Sequence, residues 1–167
     1  MHTDAEGKKP HPTPKAMTEA DVKTAIGEFE QAAKNAVAAG FEGIELHGAN
    51  GYLLEQFIRR TSNKRTDTYG GSIENRARFA LDVIKATTAA IGKDKVGIRL
   101  SPFGVFNDLP LYPEMEAEYA YLARALNATG LFYTGRSLAD GRAGGAAIDQ
   151  RYVPQRVQRC AHSFRRL

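Results

Sequence analysis

From Thr18 onward the apolar positions of the chain repeat one pattern three times. Val22, Ile26, Phe29, Ala33 and Val37 return every three or four residues, the spacing that gathers side chains on one face of a helix. Thr18 can cap that helix, with Glu19 and Asp21 in the first turn where carboxylates suit the positive helix end, and Gly40 ends it. Phe41 to His47 then reads as a short strand. After a loop, Ser72 opens a second helix with Ile73, Ala77, Ala80, Ile84 and Ile91 on one side, closed by Gly92 and followed by a strand at Val96 to Leu100. A third helix near Glu114 to Asn127 presents Met115, Tyr119, Leu122 and Leu126, and Gly130 precedes Leu131-Phe132-Tyr133. Strands alternating with helices of this length predict an α/β fold with a parallel sheet. Periodicity alone does not choose between a wound sheet and a barrel.

Two segments fall outside this pattern. Residues 1–17 hold Lys8, Lys9, Pro10, Pro12 and Pro14 and read as an extended lead-in. Residues 134–167 are rich in Arg, Gln and Gly, show neither helical nor strand period, and are expected to be poorly ordered. The formal net charge of +4 is concentrated there, because seven arginines after Gly135 face only Asp140 and Asp149. The body is close to neutral, so neither it nor the tail, which lacks aromatic interleaving, is read as a nucleic-acid surface. No run approaches the ~18 apolar residues of a membrane span, and the N-terminus lacks the apolar stretch of a secretory signal. A single cysteine, Cys160, excludes an internal disulfide framework and a cysteine-built metal site, and no metal is expected. A cytoplasmic location is the expectation.

The chemistry-bearing residues cluster after the first strand of the repeat, in His47-Gly48-Ala49-Asn50-Gly51-Tyr52. Ligands of parallel α/β folds sit beyond the carboxyl ends of the strands. His47 and Asn50 supply two hydrogen-bond donors there, Tyr52 adds a phenol, and the glycines let the backbone turn tightly. The plain alternative is a strand-end loop whose His and Asn satisfy nearby backbone groups. The stretch from Arg59 to Arg76 reads as a salt-bridged architectural loop, Lys93 to Lys95 as a solvated turn, and Phe103 to Leu111 as either a pocket mouth or a plain connection.

Taken with Gln56-Phe57-Ile58-Arg59, Thr61 through Arg76, Val96-Gly97-Ile98-Arg99-Leu100-Ser101-Pro102 and His11-Pro12-Thr13-Pro14, this motif resembles the Old Yellow Enzyme family over residues 9–133. That family comprises FMN-dependent ene-reductases built on a (β/α)8 barrel. The resemblance implies that His47 and Asn50 bind the activating oxygen of an electron-poor alkene (an enone, enal, maleimide or nitro compound). It implies further that Tyr52 is the proton donor, that Arg99 contacts the flavin, and that NADH or NADPH is the hydride source.

A (β/α)8 barrel needs roughly 200 residues or more, whereas residues 18–133 supply three strand-helix repeats. The expectation is therefore a partial barrel, incomplete at both ends, that self-associates or joins a complementing chain. Read one nucleotide later with free codon choice, residues 134–167 can spell a run resembling the family's next strand and phosphate turn. A frameshift near Tyr133 is thus the expected origin of the tail. The second functional reading is a catalytically inactive fragment that acts only by association.

Overall fold

A computed structural model describes residues 2–4, 7–9, 13–131 and 133–136. Cys160 and the arginine-rich stretch 137–167 lie outside the described residues. Within the expected lead-in, strands β1 (His2–Asp4) and β2 (Gly7–Lys9) form a short antiparallel ladder with Asp4 opposite Gly7. The three repeats follow as α1 (Glu19–Ala38), β3 (Ile44–Gly48), α2 (Leu53–Ile58), α3 (Ile73–Ile91), β4 (Val96–Leu100), α4 (Met115–Thr129) and β5 (Tyr133–Arg136).

The caps form where the residue types demand them. Thr18 makes a full capping box: its hydroxyl accepts from the Asp21 backbone N–H at 3.1 Å, and the Asp21 carboxylate accepts from the Thr18 N–H at 2.8 Å. Ser72 accepts from Asn75 N–H at 3.2 Å to start α3. Gly130, with φ of +66°, closes α4 in the left-handed conformation. Two elements differ from the sequence reading. The six-residue helix α2 occupies a stretch read as loop, too short for periodicity to register. The last strand starts at Tyr133 rather than Leu131, so residues 134–136 of the predicted tail belong to the sheet.

β3, β4 and β5 pair in parallel in chain order, with Leu46 opposite Ile98 and His47 opposite Arg99. Side chains alternate across a strand. Leu46, Val96, Ile98 and Leu100 therefore share the face buried under the helices, whereas Glu45 and His47 lie exposed on the other. The core between sheet and helices is built from Val22 of α1, Leu54 and Phe57 of α2, Phe79, Ala80, Val83 and Ile84 of α3, and Leu122 of α4. Phe79 is the centre of an aromatic cluster, with ring centroids 4.4 Å from Phe57 and 6.5 Å from Phe29. Among the described residues β3 and β5 each leave one strand edge unpaired, and no layer covers the polar face.

The stretch between α2 and α3 is architectural. Asn63 donates through its side-chain amide to the carbonyls of Phe57 (2.7 Å) and Tyr69 (2.8 Å), and Arg65 pairs with Asp67. Gly70 is required by contact: a Cβ there would sit 2.2 Å from the Arg65 carbonyl oxygen, which is backbone and cannot step aside. Lys93 to Lys95 form an exposed 3₁₀ turn. No described helix is long and apolar enough to cross a membrane.

Burial decides which substitutions matter. Phe79→Ala, at a fully buried site, should cost about 3–5 kcal/mol. Glu30→Ala removes only the half-exposed pair with Lys34 and should cost under about 0.5 kcal/mol. Urea unfolding followed by circular dichroism measures both, and comparable losses would contradict the core assignment.

Candidate functional site

β3 carries His47 to the carboxyl end of the sheet, and the register sets Arg99 beside it as its Cα partner on β4. Both side chains belong to the face that the helices leave open; His47 is exposed and Arg99 half-buried. After Ala49, which is fully buried, the chain turns sharply: Asn50 takes φ of +59° and Gly51 φ of +77°. The first is uncommon for a side-chain-bearing residue, although Asn tolerates it better than most, and the second suits glycine. A Cβ on Gly51 would also crowd Leu109 at 3.1 Å. Tyr52 then caps α2, half exposed, with its ring centroid 5.2 Å from that of His47. The structure thus brings His47, Asn50, Tyr52 and Arg99 to one end of adjacent strands.

The turn is held by side chains on every backbone polar group. Asn50 N–H donates to Ser101 Oγ (2.8 Å), and the Asn50 carbonyl accepts from Asn107 Nδ2 (2.8 Å). Gly51 N–H donates to Glu55 Oε2 (2.7 Å), and the Gly51 carbonyl accepts from Gln56 Nε2 (2.6 Å). With its backbone so occupied, the Asn50 side chain itself makes no hydrogen bond among the described residues. The segment from Phe103 to Leu111 is therefore more than a plain connection. It ties Asn107 and Leu109 to the turn and leaves Val105, Phe106 and Leu111 exposed nearby along the chain.

Beneath the turn lies a polar cluster that sequence reasoning missed. Glu55, fully buried, accepts from four donors: Gly51 N–H, Ser101 Oγ (2.8 Å), Tyr119 OH (2.6 Å) and Arg59 Nη1 (3.4 Å). Arg59, equally buried, also donates to the carbonyls of Gly104 (2.9 Å) and Pro110 (2.6 Å) and lies 5.4 Å from the Tyr112 ring centroid. Next to it Glu118 accepts from Arg76 and from the Tyr112 hydroxyl. Glu55 and Arg59 stand four apart on a helix, a spacing that signals an ion pair. Their partners Ser101 and Tyr119 are 46 and 64 residues away from Glu55, beyond any local pattern.

Fold and site together define a parallel β/α scaffold with polar groups converging at the carboxyl ends of its strands. The family model for NADH:flavin oxidoreductase / NADH oxidase matches residues 2–142, past both ends of the stretch legible in the sequence, and the chain belongs to that Old Yellow Enzyme family. It is 45% identical over 139 residues to a chanoclavine-I aldehyde reductase of Penicillium roqueforti, covering 83% of this chain and 37% of that protein. It is 52% identical over 100 residues to a probable flavin mononucleotide-dependent alkene reductase of Leishmania infantum, covering 60% and 27%. A solved morphinone reductase superposes with a TM-score of 0.81 at 36% identity, over 93% of this chain and 43% of that one. The sheet and helices are accordingly part of a (β/α)8 barrel that is not closed within the described residues. The chain spans less than half the length of these relatives.

The buried tyrosines give the cluster a signature in alkali. Burial, the Glu55 charge and the bond to Glu55 push Tyr119 well above the ordinary tyrosine value of 10.0. Burial and the bond to Glu118 push Tyr112 up as well. A phenol raised in the folded state contributes stability that is complete below pH 10 and is lost as pH rises above it. Burial raises Tyr69 too, so tyrosinate absorbance should show three phenols that ionise only above the ordinary tyrosine range, Tyr119 among them titrating as helix content is lost. Tyr119→Phe should remove one of them, and full ionisation by pH 10 in the folded protein would contradict the burial.

Proposed function

We propose that this chain carries the substrate-polarising part of an FMN-dependent ene-reductase site, acting on activated C=C bonds in enones, enals, maleimides or nitro compounds. The observation that carries this reading is the pairing of His47 with Arg99 across β3 and β4, beside the left-handed turn that presents Asn50 and Tyr52. The donor set fits a flavin: a guanidinium on the open face suits the electron-rich edge of the isoalloxazine ring. When bound, reduced FMN supplies hydride to the β-carbon of the alkene, and NADH or NADPH restores it.

The chain's own residues do the rest. His47 and Asn50 donate hydrogen bonds to the activating oxygen and stabilise the negative charge that grows on it, as fixed donors in an oxyanion site do. The Tyr52 phenol gives its proton to the α-carbon, which completes the addition of hydride and proton across the double bond. Tyr52→Phe in the flavin-loaded protein should lower turnover by roughly 10²–10⁴-fold, read as enone-dependent NAD(P)H oxidation. Asn50→Ala should raise KM for the same enone. Undiminished turnover in both variants would sink the reading.

Among the described residues the outer edges of β3 and β5 are unpaired, which favours a second property, association with a copy of this chain or with a complementing one, since unpaired strand edges template pairing. Light scattering should give a mass above the monomer's 18.3 kDa. A single species at the monomer mass across the concentration range would contradict the association.

A further inference from the structure

We infer that Glu55 and Ser101 are positioning residues that set the grip of Asn50 on the substrate oxygen; this rests on the role given to Asn50 under Proposed function. Ser101 Oγ accepts from Asn50 N–H and donates its own O–H to Glu55 Oε2, the oxygen that also accepts from Gly51 N–H. One carboxylate oxygen therefore fixes both residues of the left-handed turn, one directly and one through a hydroxyl. Its partner oxygen anchors α4 through Tyr119 and the end of α2 through Arg59. The clamp links the site loop to three elements of the scaffold, and its members are buried: Glu55 at 0%, Ser101 at 1% and Tyr119 at 3% exposure. Neither Glu55 nor Ser101 reaches the open face, so both act through Asn50.

The arrangement explains why the turn holds a conformation that asparagine adopts infrequently. A non-glycine residue at positive φ costs of order 1 kcal/mol or more and persists where its surroundings over-determine it. Here four side chains do so. With the Asn50 main chain fixed at both N–H and C=O, the only freedom left to that residue is the rotation of its amide arm. That rotation starts from a fixed backbone, so the amide sweeps only a small set of acceptor positions, and a donor misplaced by about 1 Å can cost on the order of 10²-fold.

The first test needs no flavin. Hydrogen exchange of the purified chain, resolved at the Asn50 and Gly51 amides, compares Ser101→Ala, Glu55→Leu and, as a control, Glu118→Gln. Glu118 belongs to the neighbouring buried network and does not touch the turn. Ser101→Ala removes the acceptor of the Asn50 N–H and should speed exchange there by roughly tenfold or more, with the α3 amides unchanged. Glu55→Leu should do so more strongly; if it does not fold, Ser101→Ala still decides. Glu118→Gln should leave the turn amides as they are. The second test uses the flavin-loaded protein. A lost clamp should raise KM for an enone about tenfold, whereas a merely structural loss would lower the active fraction and kcat at constant KM. Turn amides that exchange at the wild-type rate in Ser101→Ala overturn the clamp. An Asn50→Ala variant of unaltered KM overturns the functional reading of Asn50 and, with it, the inferred purpose of the clamp. A normal Asn50→Ala defect beside an unaltered KM in Ser101→Ala overturns this inference alone.

Discussion

A carboxylate removed from water must be met by donors, because an unpaired buried charge costs several kcal/mol. Glu55 meets that condition with four donors from four places in the chain: the turn at Gly51, the end of β4 at Ser101, α2 at Arg59 and α4 at Tyr119. All four meet at one carboxylate, which holds these segments in one arrangement. Hydrophobic packing alone would tolerate small slides of α4 or of the loop over the sheet. A charge with directional partners at 2.6 to 2.8 Å does not. The site loop is thus tied to the core by directional bonds, although it lies at the surface where loops are usually mobile.

The parallel register makes the second half of that arrangement. A shift of one residue between β3 and β4 would exchange the faces of the sheet, sending His47 into the helices and Leu46 into the open. Burial of Leu46, Val96, Ile98 and Leu100 therefore selects the register that puts His47 beside Arg99. The apolar pattern that builds the core is the same pattern that assembles the polar face.

Much of this was legible because it is local. Thr18 and Ser72 cap helices by contacts three residues away, Gly130 terminates α4 by its own backbone conformation, and the apolar faces of α1, α3 and α4 recur at fixed spacing. The grouping of His47, Asn50 and Tyr52 was legible too, because they lie within six residues. Arg99 was placed with them only by family resemblance, and the register supplies the contact. What could not be read is long-range. Nothing in the sequence near Glu55 announces Tyr119, and a glutamate among Leu54, Phe57 and Ile58 looks like a solvent-facing position on a helix rather than a buried one. Helix α2 escaped for a different reason: at six residues it is less than two turns, too short for a period to appear.

The open face of the sheet bears on how well the proposed donors can work. Hydrogen-bond donors stabilise a developing oxyanion most where water is excluded. Two unit charges 4 Å apart interact by about 1 kcal/mol in bulk water and about 4 kcal/mol at an effective dielectric near 20. His47 on an uncovered sheet lies nearer the first limit. The clamp beneath the turn gives the donors their geometry but cannot give them a dry surrounding, because Glu55 and its partners sit on the helix side. Geometry and dielectric thus come from different sources in this protein: the first from the chain's own buried network, the second from whatever covers the polar face. On that separation, donors whose positions are fixed by the turn and the register would still take their strength from whatever covers the polar face.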